Sequence, residues 1–518
     1  MTKTKYLTTP LYYVNAKPHI GHAYTNVIAD TFARFYKFTG EKALLLTGTD
    51  EHGTKIEKIA REKNLNPKDF VDQMVPHFKS LWKLLDICYD DFIRTTEDRH
   101  KRIVAKVLTD LETKGDIYKA TYEGWYCTPC ESFWTELQLE EGKCPDCSRD
   151  VQRLSEDNYF FRLSKYQEWL IAYIHAHPEF ICPEIRRNEI LGFLKEQLED
   201  LCISRPRARL GWGIDYPTSN EHVVYVWFDA LINYISAIGY GEKPEYFTSL
   251  WPADIHFVGK DILRQHTVYW PIMLRALDLP LPKTVVAHGW WTMQGAKVSK
   301  SLGNIVEPTE LVQKYGVDAF RYFLLKEVTL GYDGAFSEIL FRERYTTDLA
   351  NDLGNLWFRM ASMMDKYFQG EMPALASASV LHPLYQNSLG LWDLVCEAMK
   401  QWDPRQALSA IFAVVKQANQ FVEENKPWVL AKSPASRDEL AQVLAVLAEA
   451  VAHVAVVLLP FLPDTAGKIS ERLGRQDAGA SFDKASFTKP FLQTGIKLTR
   501  GEILFPKLEE EKPQSSPA

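Results

Sequence analysis

The first fifty residues alternate between apolar runs and polar breaks in a recognisable order. Residues 4–9, TKYLTT, read as a strand, and the loop PLYYVNAKPHIG follows. Beyond it Tyr24, Ile28, Thr31, Phe32 and Phe35 recur at the spacing of one helical face, and Gly40 supplies a stop. A second apolar run, KALLL, comes at once and ends in TGTDEHG. Strand, helix and strand within about 45 residues make a βαβ unit, which implies a parallel sheet. Ligands of such sheets lie at the carboxyl ends of the strands, where His19, His22 and Asp50 fall.

The pattern then turns helical. Asn66 and Pro67 form a cap with a first-turn proline, and a helix is predicted from Thr95 or Thr96 to Gly115. Residues 119–160, rich in Cys, Trp, Gly and Pro, read as a small insertion. Parallel-sheet signals return at HVVYVWF (222–228), DIHFV (254–258) and TVVAHG (284–289), with a helix from Ile262 to Leu277 between the last two. The predicted fold is therefore α/β, a Rossmann-type sheet split by an insertion of about 100 residues. From Glu338 to Leu459 the spacing is almost wholly helical and predicts a bundle, and the tail from Glu509 reads as disordered. No internal repeat interrupts this order.

At 518 residues the chain is too long for one core. Its 46% hydrophobic and 25% charged residues describe an ordinary globular protein. Without a signal peptide or an unbroken run of 18 apolar residues, a cytoplasmic protein with no membrane partner is expected. A net charge of −7 gives no support to bulk affinity for nucleic acid, so such a partner would need a local basic surface. Four of the eight cysteines, Cys88, Cys182, Cys202 and Cys396, stand alone and read as core residues of a reducing compartment.

The other four form CTPC at 127–130 and CPDC at 144–147. Two such knuckles offer Cys127, Cys130, Cys144 and Cys147 as four thiolates for one closed tetrahedral zinc, which is a structural site because no coordination position stays open. A disulfide pair or redox dithiol is the alternative. HIGH at 19–22 ends a strand-exit loop and opens a helix whose N–H groups favour phosphate. Gly21 admits a nucleotide to the backbone, and His19 or His22 could donate to charge growing on a phosphoryl group. In GAKVSKSLG at 295–303, Lys297 and Lys300 lie on a glycine-flanked loop. Such a pair is either a solvated basic loop or a clamp that closes on departing pyrophosphate.

HIGH near the start of a split sheet, with KVSKS after its second half, resembles the class I aminoacyl-tRNA synthetases, with Val298 where that family usually has Met. TTPLYYVN, GTDEHG, VYVWFDALINY, VGKDILRQHTVYWP and NKPWVLAK together resemble the methionyl-tRNA synthetase family across nearly the whole chain. The resemblance implies a ligase that activates L-methionine with Mg2+-bound ATP and transfers it to tRNA(Met), the initiator included. It implies ATP binding by His19, Gly21, His22, Gly259, Asp261, Lys297 and Lys300, the two histidines and two lysines being catalytic. Asp50 would hold the substrate ammonium, while Leu11, Tyr13, Trp227, Ala230, Tyr234 and His266 would line the side-chain pocket. The Tyr234 hydroxyl and the Leu11 N–H would reach the thioether sulfur. Unaided spacing instead favours Trp227, Tyr234 and Trp270 as plain core aromatics.

Asn355, Arg359 and Trp428 match the family's anticodon-reading positions, against a bland reading as bundle core and solvated face. The expected organisation is a catalytic sheet at 1–117 and 222–289, a zinc-bearing insertion at 118–221 and a loop and stem-contact region at 290–345. A helical anticodon domain at 346–480 and a tail at 481–518 follow, in a monomer. Valyl, isoleucyl and leucyl enzymes are the competing aliphatic readings, but they usually need a large editing insertion for which the zinc module leaves little room. A cysteinyl enzyme would use an open zinc position. A non-catalytic zinc-containing tRNA-binding protein would not need His19, His22, Asp50, Lys297 and Lys300 together.

Overall fold

The computed structural model describes residues 3–128, 132–134, 136–145, 147–293, 296–297, 307–477 and 479–508, with only the backbone of Lys297. The chain divides into two compact units, residues 1–30 with 42–289, and residues 31–41 with 290–518.

The first unit is built on a six-stranded sheet. Its first three strands are β1 (Lys5–Tyr13), β2 (Ala43–Asp50) and β3 (Asp91–Arg94), and three more come from later in the chain. Helix α1 (Ile20–Phe38) follows β1, and α2 (Asp98–Thr113) follows β3. Two long strands, β4 (Ile117–Cys127) and β5 (Gln152–Phe161), form the insertion. β6 (Ile181–Cys182), β7 (Ile255–Gly259) and β8 (Thr284–His288) complete the sheet, whose order is β3-β2-β1-β7-β8-β6. Every neighbouring pair is parallel. β1 therefore lies between strands from the two halves of the sequence, and the order reverses between β1 and β7. A crevice at the carboxyl ends follows from that reversal.

β1 runs four residues past the predicted TKYLTT, through PLYY, with a break in its register against β2 between Thr8 and Leu11. Pro10 falls there, and a proline has no N–H for the ladder. The Asn66 side chain accepts the Asp69 N–H and caps the helix Pro67–Leu84. α2 buries Ile103, Val104, Val107, Leu108 and Leu111 in one cluster with Leu46 and Ile93 of the sheet.

The segment 222–228 departs from expectation. His222–Val224 pairs antiparallel with Ser204–Pro206, away from the main sheet, and Val226–Leu231 is a helix. A short continuous apolar run carries no period, so strand and buried helix read alike in the sequence. The sixth strand, β6, comes instead from inside the insertion. β4 and β5 are paired antiparallel from Ile117↔Phe161 to Tyr126↔Gln152, which puts the Cys127 end of β4 at the tip of a long hairpin.

The second unit is helical, with α3 (Val317–Glu327), α4 (Asn355–Phe368), α5 (Pro404–Asn425) and α6 (Arg437–Leu458) as main members. Gln369 and Gly370, both with positive φ, end α4 within the stretch predicted to be almost wholly helical. The stretch Pro434–Leu458 is long and apolar enough to cross a membrane, but its most apolar 18-residue window is 89% buried inside the protein, as in a core helix.

Candidate active site

The parallel sheet delivers three chain ends to one edge of the first unit. β1 leads into His19 and the first turn of α1, β2 ends at Asp50, and β7 ends at Gly259 beside β8 and His288. The rings of His19 and His22 stack with centroids 3.9 Å apart. The Gly21 N–H donates to His19 Nδ1 at 3.1 Å, and the His19 N–H donates to His22 Nδ1 at 3.2 Å. With both Nδ1 atoms accepting, each neutral ring carries its proton on Nε2, and that nitrogen is the donor. A Cβ at position 21 would stand 3.0 Å from His19 Cε1, so glycine is what lets the ring fold over the helix entrance. Tyr12 packs edge-on against His22 with centroids 5.1 Å apart.

A third imidazole joins this edge that sequence reasoning missed. His288 Nδ1–H donates to the Gly289 carbonyl at 2.7 Å, so its Nε2 accepts the Thr25 hydroxyl at 2.7 Å. The end of β8 is thereby tied to the first turns of α1. The only signal was a histidine closing TVVAHG. A Cβ at Gly259 would stand 2.5 Å from Asp261 Oδ1, so a side chain there would push the Asp261 carboxylate aside. Asp261 is exposed and hangs over this strand end.

The residues predicted for the amino-acid pocket differ in their burial and bonding. Asp50 is buried and in register with Tyr13 on the neighbouring strand. Leu11 and Tyr13 are half-buried, as is Trp227, whereas Ala230, Tyr234 and His266 are buried. His266 sits on a π-helical stretch, Gln265–Tyr269, and its Nδ1 donates to the Ile262 carbonyl at 2.8 Å. Burial pulls its imidazole down to about 4, so the ring is neutral at pH 7 and Nε2 accepts the Tyr234 hydroxyl at 2.7 Å. Tyr234 therefore turns a lone pair toward its surroundings. The proton expected to reach a thioether is given to His266 instead. Behind Tyr234 the His256 ring stacks at 4.2 Å, and burial holds it well below the usual histidine range. Its two nitrogens meet the Thr8 hydroxyl at 2.7 Å and the Trp270 N–H at 3.2 Å.

After Asp50 the DEHG loop is fastened residue by residue. The buried Glu51 carboxylate receives Arg94 through Nε at 2.6 Å and a terminal nitrogen at 2.9 Å, and the Thr49 and Thr96 hydroxyls at 2.6 Å each. Trp212 Nε1 donates to the Glu51 carbonyl at 2.6 Å. Sequence reasoning found the loop but not these partners. Lys300 lies outside the described residues; the Lys297 backbone pairs with Thr292.

At the hairpin tip, Cys127, Cys144 and Cys147 bring their sulfurs within 4.8 Å of one another, Cys127 and Cys147 at 3.5 Å. At 3.5 Å the Cys127 and Cys147 sulfurs are not bonded to each other, since a disulfide is about 2.0 Å long. Such spacing suits one tetrahedral ion with sulfur ligands at about 2.3 Å. The turn that presents them is closed by the Ser148 N–H to the Cys144 carbonyl at 2.8 Å. Cys130 lies outside the described residues.

In the second unit, Arg359 and Trp428 come together, the guanidinium 5.7 Å from the indole, and Arg359 also pairs with Glu423 at 2.7 Å. Asn355 is exposed on the first turn of α4 and Trp428 is 38% exposed, so neither is a core residue.

A split parallel sheet with two Nε2 donors at a helix entrance defines a nucleotide-binding α/β enzyme. The chain matches the family described as tRNA synthetases class I (M) over residues 5–156 and 149–361, and the anticodon binding domain of methionyl tRNA ligase over 391–516. It is 51% identical to the methionine–tRNA ligase of Caldanaerobacter subterraneus subsp. tengcongensis, over 100% of this chain and 81% of that protein. Identity to the Bacillus subtilis methionine–tRNA ligase is 45%, over 98% of this chain and 78% of that protein. Among solved structures, Mycobacterium tuberculosis methionyl-tRNA synthetase in complex with methionyl-adenylate superposes with a TM-score of 0.92 at 38% identity, covering 98% and 100% of the two chains. The chain belongs to the methionyl-tRNA synthetase family of class I.

Proposed function

We propose that the chain is a methionine–tRNA ligase working in two steps at the carboxyl edge of its parallel sheet. The methionine carboxylate attacks the α-phosphorus of ATP, releasing pyrophosphate and forming methionyl-adenylate. A ribose hydroxyl of the tRNA's terminal adenosine then attacks the adenylate carbonyl and AMP leaves. No side chain becomes covalently attached, so catalysis is positioning and charge stabilisation. The observation that supports this assignment most directly is the His19–His22 pair, whose Nδ1 atoms are held by backbone N–H groups so that Nε2 donates.

In this reading His19, Gly21 and His22 receive the ATP phosphates, Gly259 and Asp261 hold the nucleoside side, and Lys297 and Lys300 engage the pyrophosphate. Mg2+ accompanies ATP and neutralises phosphate charge. Asp50 binds the methionine ammonium. Leu11, Tyr13, Trp227, Ala230, Tyr234 and His266 enclose the thioether side chain, the aromatic rings supplying favourable contacts to sulfur. Cys127, Cys144 and Cys147, with Cys130, hold one zinc that fixes the hairpin tip and takes no part in the chemistry. Asn355, Arg359 and Trp428 read the anticodon. The deciding experiment is ATP–pyrophosphate exchange with a panel of amino acids. Exchange driven by methionine and not by valine, isoleucine, leucine or cysteine is expected, and exchange driven best by another amino acid would overturn the assignment.

A further inference from the structure

Two motif residues that the proposed chemistry leaves unused meet in the interior of the first unit. Asp229, fully buried, accepts His52 Nδ1–H through one carboxylate oxygen and His100 Nε2–H through the other, both at 2.6 Å. A carboxylate only accepts, so both imidazoles must donate to it. Burial pushes the Asp229 carboxyl upward, and the imidazoles outweigh it and hold the group below the ordinary aspartate range. His100 also meets the Ser236 hydroxyl through Nδ1 at 2.8 Å, so α2 grips the stretch 229–236 at two points.

The three members stand at telling places. His52 lies two residues after Asp50. Asp229 lies two residues after Trp227 and directly before Ala230, on one short helix. His100 anchors both to a helix packed in the sheet's own core cluster. We infer that the His52–Asp229–His100 clamp is a positioning device for the amino-acid site: it sets the distance between the Asp50 loop and the helix carrying Trp227 and Ala230. The inference rests on the reading of that pocket given above. Apolar residues of similar volume would fill the same space, and a buried ion pair is often no more stabilising than such a replacement. What the clamp adds is direction, since two hydrogen bonds fix the loop and the helix to opposite oxygens of one carboxylate.

The test is methionine- and ATP-dependent exchange by the full chain carrying His52→Ala or His52→Asn. His52→Ala is expected to raise KM for methionine about tenfold, because small misplacements in a site are costly, with kcat and KM for ATP within about twofold. His52→Asn places an amide nitrogen where Nδ1 stood, and should return KM for methionine to within about threefold of wild type. An unmoved methionine KM in His52→Ala, or an equal loss in both variants, overturns the proposal. If His52→Ala does not fold, Asp229→Asn keeps the shape and removes the charge. It must still raise KM for methionine selectively, and no rise there overturns the clamp. Wild-type protein that exchanges with methionine while these variants behave normally defeats only the positioning role. Wild-type protein that ignores methionine defeats the reading of the site itself.

Discussion

In the first unit, buried titratable side chains stand against the residues of the candidate pocket. His256 backs Tyr234, His266 accepts a hydrogen bond from its hydroxyl, and Asp229 lies between His52 and His100. In the second unit, the buried pair Glu449 and His453 sits midway along α6 among alanine, valine and leucine. His453 meets the Ser388 hydroxyl at 2.9 Å, and the Glu449 carboxylate takes the N–H groups of Phe491 and Leu492 at 2.8 and 2.9 Å. Both units thus bury polar groups, but those of the first converge on a candidate pocket; in the second Glu449 fastens a late chain segment, and His453 an earlier helix, to α6. The residues assigned to ligands differ in the same sense. Asp50, Ala230 and Tyr234 are enclosed, whereas Asn355 and Trp428 are exposed. A small amino acid must be surrounded to be recognised, while an RNA loop brings its own surface and splays its bases onto the protein.

The largest effect expected from this contrast is on the phosphate side of the first unit. His22→Asn should lower ATP–pyrophosphate exchange by about 100- to 1000-fold, the usual loss when one preorganised donor to a developing oxyanion is removed. Steady-state kinetics would show it mainly in kcat. A loss below about fivefold would place the phosphates elsewhere.

Acid should strain both units through their buried imidazoles. Burial holds His266 at about 4 and His453 at about 3. Below the ordinary histidine value of about 6.5 the unfolded chain takes up a proton at each site that the folded chain refuses, so stability falls as pH is lowered. For His266 the loss accumulates between about pH 6.5 and 4 and reaches about 3 kcal/mol at most. For His453 it continues toward pH 3. Thermal unfolding followed from pH 7.5 to pH 4 should show a falling midpoint, and His453→Gln should flatten that fall. A midpoint independent of pH in this range would mean that neither ring is held neutral.

The metal site offers a smaller perturbation. Cys144→Ala should reduce bound zinc from about one per chain to none, since Cys144 contributes a buried sulfur to the cluster. Exchange should drop only several-fold, because in the proposed role an ion held by four thiolates at a hairpin tip leaves no coordination position for substrate. Elemental analysis of the purified variant, alongside its exchange rate, tests both halves. Full zinc content in Cys144→Ala would remove the site.

How far the sequence carried these assignments depended on distance along the chain. The βαβ opening, HIGH, DEHG and the paired Cys-x-x-Cys knuckles were legible because each is local: period, cap and spacing lie within one short window. Thr25 and His288 are 263 residues apart, His52 and Asp229 are 177 apart, and His100 and Asp229 are 129 apart. No window contains such pairs, so the clamp and the third imidazole emerged only from the folded chain. The helix at Val226–Leu231 was misread for another reason, since an unbroken apolar run has no period to separate strand from helix. The direction of the Tyr234 bond was also beyond the sequence, because it follows from the carbonyl that fixes His266's tautomer.

A change confined to tRNA charging separates the two units most cleanly. Trp428 follows Pro427, the first residue of a single helical turn, Pro427–Leu430, that follows α5, and its indole is 38% exposed beside the Arg359 guanidinium. An exposed indole with a cation at its side is a stacking platform for an unpaired base, and each such stack is worth about 1–3 kcal/mol. Trp428→Ala should therefore slow charging of the CAU-anticodon tRNA about tenfold or more, chiefly through KM for tRNA. Asn355→Ala removes hydrogen bonding without removing a ring and should cost less. ATP–pyrophosphate exchange needs no tRNA and calls only on groups assigned outside α4 and α5, so it should stay near wild type in both variants. Because the indole is partly solvated, its removal opens no large cavity and the melting temperature should hold within a few degrees. If exchange and melting temperature fall together in Trp428→Ala, the indole is a packing residue and the exposed face is not the RNA-reading surface. If charging is untouched in both variants, the anticodon is read by other residues, and the contrast between an enclosed pocket and an open platform does not hold.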